Sequence, residues 1–362
     1  MSRPSLVTDP HQVDAAWLTA ALHHAGVGAG ARVRDAKPES VGTGQMGRSV
    51  RFALTWEGEP EDGLPVSVVG KFPSDDPTSR ATGSAQGAYE KEVRFYRELR
   101  DTVGIRTPGC FFAEVDVASG DFVMLLEDLA PAVPGDQLAG CSVDQAALAL
   151  AEAAKLHAPR WGDAHLEEVG FLARPGPESA QGLQAIYKLL WPGFAKRYGA
   201  QLEPEALALS ERLGDHLAAW VLAGTSPHTL VHGDYRLDNM LFGTGEGGPP
   251  LAVVDWQTVG LGGALADVSY FLGASLLEDD RHANEQALLR EYHERLLAGG
   301  VRDYPFEDCF LDYRRNTFGG VVMSVVASMI VEQTRRGDEM FVAMASRHTA
   351  HALELGSEAL LP

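Results

Sequence analysis

Two neighbouring stretches decide the fold: residues 230–242 read LVHGDYRLDNMLF, and residues 251–257 read LAVVDWQ. Each carries a short apolar run typical of a buried strand, and the first run leads into a polar loop. The loop holds Asp234 and, five positions later, Asn239, while the second strand ends at Asp255. Oxygen-bearing side chains at the ends of adjacent strands can converge on one hard cation and one reacting hydroxyl group. The spacing therefore predicts that these three residues act together in one site.

The composition is that of an ordinary globular protein. At 362 residues the chain can bury a large core, and about two domains or lobes are expected. The net charge is −20 and there is no cluster of basic residues, which argues against nucleic acid or an anionic membrane surface as a partner. The charge permits a cationic small substrate without requiring one, and nothing in the composition indicates a protein partner.

The cysteines and the chain start predict a cytoplasmic location. Cys110, Cys141 and Cys309 are far apart, form no metal or redox spacing, and give no disulfide framework. The first ten residues contain no apolar run, so no signal peptide is expected. The longest apolar stretch, residues 318–331, is shorter than the ~20 residues that a bilayer requires and contains Ser324. It predicts a buried helix rather than a membrane span.

A glycine pattern lies near the start of the chain. Gly42, Gly44 and Gly47 match G-x-G-x-x-G, a spacing that also opens dinucleotide-binding folds. In those folds a helix follows the glycines, whereas residues 49–56 alternate between apolar and polar side chains, as in a strand. In kinases, a glycine-rich loop that covers the phosphates lies between two strands. We therefore favour a nucleotide loop, with a plain glycine-rich hairpin as the alternative.

A lysine in the next strand predicts a buried ion pair. Lys71 lies within the apolar run of residues 66–72, where an ammonium group is costly without an anionic partner. The helix expected over residues 85–100 offers Glu90, on its charged face, and Glu92, which borders the apolar stripe that faces the sheet. We therefore expect Glu92 to pair with Lys71. The alternatives are an edge-strand lysine and two solvated glutamates.

Beyond these strands the chain is predicted to be largely helical. A β-hairpin is expected over residues 111–126, and helices dominate from Ser142 onward. His157, at the end of the first of these helices, is expected to pack or cap rather than to catalyse. Four aromatic residues follow a helical spacing: Tyr187, Trp191, Phe194 and Tyr198. Such a stripe is typical of a core, and the wall of an apolar acceptor pocket is the alternative.

Together the motifs resemble those of the superfamily of aminoglycoside phosphotransferases, choline kinases and ecdysteroid-kinase-like proteins. The resemblance spans about residues 38–275. It is carried by HGDYRLDN at residues 232–239, VVDWQ at residues 253–257 and ADVSYFL at residues 266–272. Asp255-Trp256 stands where protein kinases carry Asp-Phe-Gly. The short distance from there to Asp267 leaves no room for a long activation segment, which favours the small-molecule kinases of this superfamily over protein kinases.

The resemblance implies a two-lobed, protein-kinase-like α+β fold. Residues 1–129 would form a small β-rich N-lobe, and residues 130–362 a larger, mainly helical C-lobe. The hinge between the lobes is expected at about residues 126–131. Its backbone at Glu127 and Leu129 would then bond to the edge of the adenine ring.

The resemblance also implies chemical roles for the matching residues. Asp234 would orient the acceptor hydroxyl and accept its proton, while Asn239 and Asp255 would hold Mg²⁺ against the phosphates. Lys71, held by Glu92, would grip the α- and β-phosphates of ATP. Positioning and neutralisation of charge would supply most of the rate acceleration, because phosphoryl transfer leaves little covalent work to the protein.

Other matching residues would support the nucleotide and the catalytic loop, which the resemblance places at residues 232–239. Backbone amides of the glycine loop would cover the phosphates, from Gly42 through Gly44 to Gly47. His232 and Asp267 would brace the catalytic loop rather than take part in the chemistry. These supports complete the set of parts that a nucleotide-dependent kinase needs.

The predicted function is therefore ATP- and Mg²⁺-dependent transfer of a phosphoryl group to an alcohol group of a small molecule. A catalytically silent nucleotide-binding module on the same fold is one alternative. Nucleotidyl transfer by the same residues is another. The acceptor stays open between an aminoglycoside, a choline-like amino alcohol, a sterol-like alcohol and a hydroxyacyl compound.

Overall fold

The computed structural model describes residues 3–42, 47–58, 62–172, 174–224 and 227–362. The chain divides into two compact units, each drawn from separate parts of the sequence. The first comprises Met1–Asp101, Thr107–Ala132 and Thr244–Thr258, and the second comprises Thr102–Arg106, Val133–Gly243 and Val259–Pro362. The lobe boundary expected at residue 129 stays a prediction.

In the described residues, strands dominate the first unit and helices the second. The strands are β1 (Val33–Val41), β2 (Gly47–Trp56), β3 (Ser67–Pro73), β4 (Cys110–Asp116), β5 (Asp121–Glu127), β6 (Val133–Pro134), β7 (His228–Val231), β8 (Met240–Thr244), β9 (Gly247–Val253) and β10 (Gly260–Gly263). The α-helices are α1 (Ala15–His24), α2 (Pro77–Ala85), α3 (Ala88–Arg94), α4 (Val143–His157), α5 (Pro177–Tyr198), α6 (Pro204–Leu222), α7 (Leu265–Ser275), α8 (Glu278–Ala298), α9 (Phe306–Arg315), α10 (Phe318–Ile330) and α11 (Arg335–Glu354).

The first unit is built on a five-stranded sheet in the order β1-β2-β3-β5-β4. Each neighbouring pair of strands is antiparallel. Lys71 of β3 lies opposite Ser49 of β2 on one side and Met124 of β5 on the other. Lys71 is therefore in the middle of the sheet, so the edge-strand alternative for this lysine is wrong.

One face of this sheet is covered by the N-terminal helix. The Asp14 side chain caps α1 by accepting a hydrogen bond from the backbone N–H of Trp17. The Trp17 ring packs edge-on against Phe112, with 5.7 Å between the ring centroids. Phe52 and Phe72 are fully buried in the same cluster, and each such side chain contributes roughly 1.5–3 kcal/mol by leaving water.

The helix predicted over residues 85–100 is divided in the structure. α3 covers its first part, and a π-helical turn at Phe95–Leu99 covers the rest. A separate helix, α2, precedes it and was not predicted. Its start follows a usual signal, because the Asp76 carboxylate caps it and Pro77 occupies its first position.

The second unit has a helical core, and the aromatic stripe of residues 187–198 belongs to it. Tyr187, Phe194 and Tyr198 of α5 are buried in a cluster shared with α6, α10 and α11, and Trp191 packs against it. The stripe therefore forms core rather than a pocket wall. α10 has 13 residues and a largely buried surface, as predicted. Within the described residues, no helix is long and apolar enough to cross a membrane.

Two short strand pairs present the polar loop of the second unit. β7 pairs with β10 in antiparallel register, with Val231 opposite Gly260. β6 pairs with β8, with Val133 opposite Phe242. The loop that carries Asp234 therefore leaves one paired strand and enters another, which fixes both of its ends.

The core of this unit contains a buried histidine, which α11 contributes. His348 is fully buried, and neither ring nitrogen has a hydrogen-bond partner among the described residues. A Cβ at Gly320 would overlap its ring, and a Cβ at Gly273 would lie 2.7 Å from Nδ1. Burial, together with nearby His351 and Arg281, lowers the pKa of His348 to about 3.

We expect acid to unfold the protein partly through His348. Below pH ~6.5 the unfolded chain binds a proton at this position and the folded chain does not, so stability is present above that pH and falls as the pH decreases. The His348→Gln variant should lose about 1.4 kcal/mol less per pH unit between about pH 6 and pH 4. Urea unfolding over this range checks the slope. Parallel curves for the two proteins would contradict the assignment.

Candidate active site

The glycine pattern lies between two strands, as predicted for a phosphate-covering loop. β1 ends at Val41 and β2 begins at Gly47, so a strand rather than a helix follows the glycines. Gly42 has φ +77°, a left-handed conformation that favours glycine. A Cβ at Gly47 would lie 3.0 Å from the carbonyl oxygen of Phe72. Gly44 lies outside the described residues, and the role of the loop stays a prediction.

The ion pair expected between Lys71 and Glu92 is present in the first unit. Lys71 Nζ lies 2.6 and 2.8 Å from the two carboxylate oxygens of Glu92, and the Glu92 side chain is 1% exposed. Burial by itself lowers the pKa of Lys71, but the charges of Glu92 and Asp255 outweigh it and raise this pKa above its usual value. Lys71 is therefore held as a cation, and Glu90 pairs with Arg94 on the charged face instead.

Asp255 lies beside this pair in a conformation that few residues adopt. Its Oδ1 is 3.5 Å from Lys71 Nζ, and its φ is +67°. The next residue, Trp256, anchors this backbone. Its ring stacks on Phe95 with 3.7 Å between the ring centroids, and its backbone N–H donates a hydrogen bond to Glu92 Oε1 at 3.3 Å. The π-helical turn places Phe95 beneath that ring. Asp255 is thus fixed by packing, while its side chain stays 40% exposed.

The predicted hinge is tied to the sheet by an ion pair that we did not predict. Asp128, between Glu127 and Leu129, accepts hydrogen bonds from Arg51 Nε at 2.6 Å and Nη2 at 3.1 Å. It also accepts one from Ser67 Oγ at 2.7 Å. Glu127 ends β5 and Leu129 is buried. The adenine contacts expected of these two residues stay a prediction.

In the second unit, three protein groups converge on the carboxylate of Asp234. Arg236 Nε lies 3.0 Å from both carboxylate oxygens, Tyr270 Oη lies 2.9 Å from Oδ1, and Asn239 Nδ2 lies 2.8 Å from Oδ2. Burial by itself raises the pKa of Asp234, but Arg236 and Tyr270 help to hold it below its usual value. Asp234 is therefore an ionised carboxylate whose position is set by its neighbours.

The backbone of this loop is braced from α7. Asp267 accepts hydrogen bonds from the backbone N–H groups of His232, at 2.6 Å, and Gly233, at 2.9 Å. His157 lies 3.2 Å from the same carboxylate and 2.8 Å from the hydroxyl of Tyr292. Its location agrees with the expected packing role for His157. The bracing role of Asp267 has a direct geometric basis in these contacts.

Alternating charges extend outward from Asp234. Arg236 Nη1 donates to Asp238 at 2.8 Å, and Arg336 Nη2 of α11 donates to Asp238 at 3.1 Å and to Asp136 at 3.3 Å. Each of these three aspartates thus has an arginine partner. None of the carboxylates of Asp136, Asp234 and Asp238 is therefore unpaired and available to a cationic substrate.

Each unit, taken by itself, presents donor atoms of a kind that suits a hard cation or an anionic nucleotide. Asp255 offers a carboxylate, and its Oδ2 has no hydrogen bond among the described residues. Asn239 donates from Nδ2 to Asp234, which leaves its Oδ1 available as an acceptor; its role as a metal ligand stays a prediction. Mg²⁺ prefers such oxygen donors. The Lys71 ammonium has three N–H groups, of which one has only the long contact to Asp255 and can bind a phosphate oxygen.

The sequence did not predict three residues that position the groups described above: Arg236 and Tyr270, which contact Asp234, and Asp128 in the predicted hinge. Arg236 lies two positions after Asp234, and a cation there was a signal that we did not use. Tyr270 follows Asp267 by one helical turn, so the same face of α7 could have suggested it. Asp128 gave no such signal, because its partner Arg51 is 77 positions away.

Comparisons with known proteins agree with the fold. The chain aligns with the aminopropanol kinase associated with a microcompartment, at 15% identity and TM-score 0.54, over 96% of this chain and 99% of that one. It aligns with choline kinase from Cryptosporidium parvum Iowa II at 10% identity and TM-score 0.53, over 90% of each chain. The predicted protein-kinase-like α+β fold is therefore confirmed.

A short curated match adds sequence similarity only. Acyl-CoA dehydrogenase family member 10 from Mus musculus is 55% identical over 42 residues, which is 12% of this chain and 4% of that protein. The chain thus spans a small fraction of the length of this relative.

A family model decides the classification. The model of the ecdysteroid kinase-like family matches residues 46–300, which is well over half of the 362 residues. The matched region contains Lys71, Glu92, Asp234, Asn239 and Asp255. The predicted superfamily is confirmed: the chain belongs to the ecdysteroid kinase-like family.

Proposed function

We propose that the protein transfers the γ-phosphoryl group of ATP to a hydroxyl group of a small molecule with the help of Mg²⁺. The observation that carries this proposal is the buried Lys71–Glu92 pair with Asp255 beside it. A structural ion pair alone does not need a partly exposed third charge, whereas a site for nucleotide phosphates and their cation does.

The residues would divide the work between nucleotide and acceptor. Lys71 would bind the α- and β-phosphates, and Glu92 would keep its ammonium group in place. Asp255 and Asn239 would hold Mg²⁺, which when bound neutralises the charge that develops on the transferred group. Asp234 would accept a hydrogen bond from the acceptor hydroxyl and take its proton as the new O–P bond forms.

The lowered pKa of Asp234 fits an orienting role. A carboxylate stabilised by Arg236 is a weak base and removes a proton only late in the reaction. In a loose transition state the acceptor oxygen has little need of early deprotonation. Orientation of the hydroxyl is then the main contribution of Asp234.

Two features of the described residues bear on the class of the acceptor. The aromatic stripe of α5 is buried in the helical core, so it does not form the wall of a pocket for a sterol-like acceptor. The arginine partners of Asp136, Asp234 and Asp238 remove support for a polycation held by unpaired carboxylates. The solved structures with this fold include kinases named for choline and aminopropanol. An acceptor screen therefore has to include all four classes named above.

The test is an ADP-release screen over aminoglycosides, amino alcohols, sterols and hydroxyacyl compounds. At least one acceptor should stimulate release in Mg²⁺, and EDTA should abolish the stimulation. Asp255→Asn should lower the stimulated rate by on the order of 100-fold or more, because an amide holds the cation less well than a carboxylate. The affinity of the Asp255→Asn variant for the nucleotide in EDTA, measured by calorimetry, should differ little from that of wild type.

The control is Asp303→Asn. Asp303 is also an aspartate with positive φ, at 56°, but it is exposed and belongs to the second unit. Equal stimulated rates in wild type and Asp255→Asn would refute the role of Asp255. No stimulation by any acceptor, with nucleotide still bound, would favour the silent module. A product that gains an AMP group by mass would favour nucleotidyl transfer.

A further inference from the structure

We propose that Tyr270 is a positioning residue for Asp234, and that the ring of His348 holds Tyr270 in place. The hydroxyl of Tyr270 fixes the rotation of the Asp234 carboxylate, so that one lone pair is presented to the acceptor hydroxyl. The inference rests on the proposed function, because it concerns how the catalytic carboxylate is aimed.

The hydrogen bonds to Asp234 show why a positioning group is needed. Arg236 Nε is 3.0 Å from both oxygens and therefore does not favour one rotation of the carboxylate over another. Tyr270 Oη, at 2.9 Å from Oδ1, and Asn239 Nδ2, at 2.8 Å from Oδ2, do distinguish the two oxygens. An ionised carboxylate only accepts hydrogen bonds, so the Tyr270 hydroxyl is the donor.

The number of donors leaves room for one more. A carboxylate has about four lone-pair positions, and three hydrogens are directed at Asp234: one from Tyr270, one from Asn239 and the single Nε–H of Arg236, which both oxygens share. The remaining position is the one that an acceptor hydroxyl can occupy. Tyr270 thus restricts the direction from which that hydroxyl approaches.

α7 connects this contact to the backbone of the catalytic loop. Asp267 and Tyr270 are three positions apart on α7, which places them on the same face of the helix. Asp267 holds the backbone N–H groups of His232 and Gly233, and Tyr270 holds the Asp234 side chain. One rigid, buried helix therefore fixes both the loop and the carboxylate that it carries.

His348 supports the Tyr270 ring from α11. The two rings are stacked, with centroids 5.2 Å apart and planes at 21°. The imidazole makes no hydrogen bond within the described part of the chain, so its contribution is to pack as a flat ring. The absence of a side chain at Gly273 and Gly320 makes the space that the ring occupies. Tyr270 itself is 6% exposed and has little freedom to rotate.

Tyr270→Phe tests the hydroxyl while keeping the stacked ring. We expect kcat for an acceptor found in the screen to fall about 10- to 100-fold, because the carboxylate is no longer aimed. The KM for ATP should stay within about 2-fold, since Lys71, Glu92 and Asp255 are unchanged. Acceptor-independent ATP hydrolysis should fall less than transfer does, because water needs less orientation than a bulky alcohol.

The matched control is Tyr187→Phe. Tyr187 is also a buried tyrosine whose hydroxyl donates one hydrogen bond, to the Ser210 carbonyl at 2.7 Å, but it lies in the helical core. This variant should have wild-type kcat. If Tyr270→Phe keeps the wild-type kcat, or loses transfer and hydrolysis in equal proportion, the positioning role is wrong.

His348→Ala provides a second variant that keeps the Tyr270 hydroxyl. The kcat of His348→Ala should also be lower than that of wild type. The same substitution should lower kcat by a smaller factor in the Tyr270→Phe background, because both changes act through one contact. Strictly multiplicative effects would refute the supporting role of His348. If acceptor-dependent release is absent from the wild type, the proposed function itself fails. If Asp234→Asn loses activity while Tyr270→Phe does not, only the present inference fails.

Discussion

Replacement of Asp234 by alanine is expected to reduce acceptor-dependent ADP release by at least about 100-fold while ATP still binds. The variant removes the group that orients the acceptor hydroxyl. It leaves unchanged Lys71 and Glu92, which are the residues proposed to hold the nucleotide. Steady-state ADP release and calorimetric titration with ATP measure the two effects separately.

Asp234→Asn is the cleaner form of the same experiment. Alanine leaves Arg236 without its carboxylate partner, whereas asparagine keeps the shape and one hydrogen-bond acceptor. Asp312→Asn is the matched control, because Asp312 is a buried aspartate that accepts a tyrosine hydroxyl bond at 2.9 Å, from Tyr304. Unchanged turnover in both Asp234 variants would refute the assignment of the catalytic loop.

The parts of the site that the sequence predicted depend on local pattern. The helical face chosen for Glu92 holds in the structure, because amphipathic spacing decides which side of a short helix meets a sheet. The glycine spacing is also a local pattern: Gly42 has a left-handed backbone and a Cβ at Gly47 would lie 3.0 Å from the carbonyl oxygen of Phe72, while the role of the loop stays a prediction. Both inferences start from residue type at a fixed spacing.

The parts that the sequence did not predict depend on packing between distant segments. Tyr270 reaches Asp234 across 36 positions, and its stacking on His348 depends on how α11 lies against α7. Phe95, in the π-helical turn at Phe95–Leu99, stacks on the ring of Trp256, which is far away in the sequence. No period or motif in a single sequence contains this information, because many helix packings share the same amphipathic pattern.

The second large effect is expected for Lys71→Met, which should weaken both activity and folding. The Glu92 side chain is 1% exposed, so without its cation it becomes an uncompensated buried charge. Breaking such a pair typically costs about 3–5 kcal/mol. Transfer should also fall by on the order of 100-fold, because the phosphates lose their cation. Urea unfolding and ADP release on the same preparation measure both.

The double variant Lys71→Met/Glu92→Gln separates the two effects. Removal of the second charge should restore much of the lost stability, since a neutral amide is far less costly to bury than a lone carboxylate. It should not restore transfer, because no cation returns to the phosphates. Lys155→Met is the control: Lys155 also lies 2.6 Å from a glutamate, Glu152, but it is 52% exposed, so its loss should cost within about 1 kcal/mol. A double variant that regains transfer along with stability would mean that Lys71 serves the fold alone, and the phosphate-binding role would have to be given up.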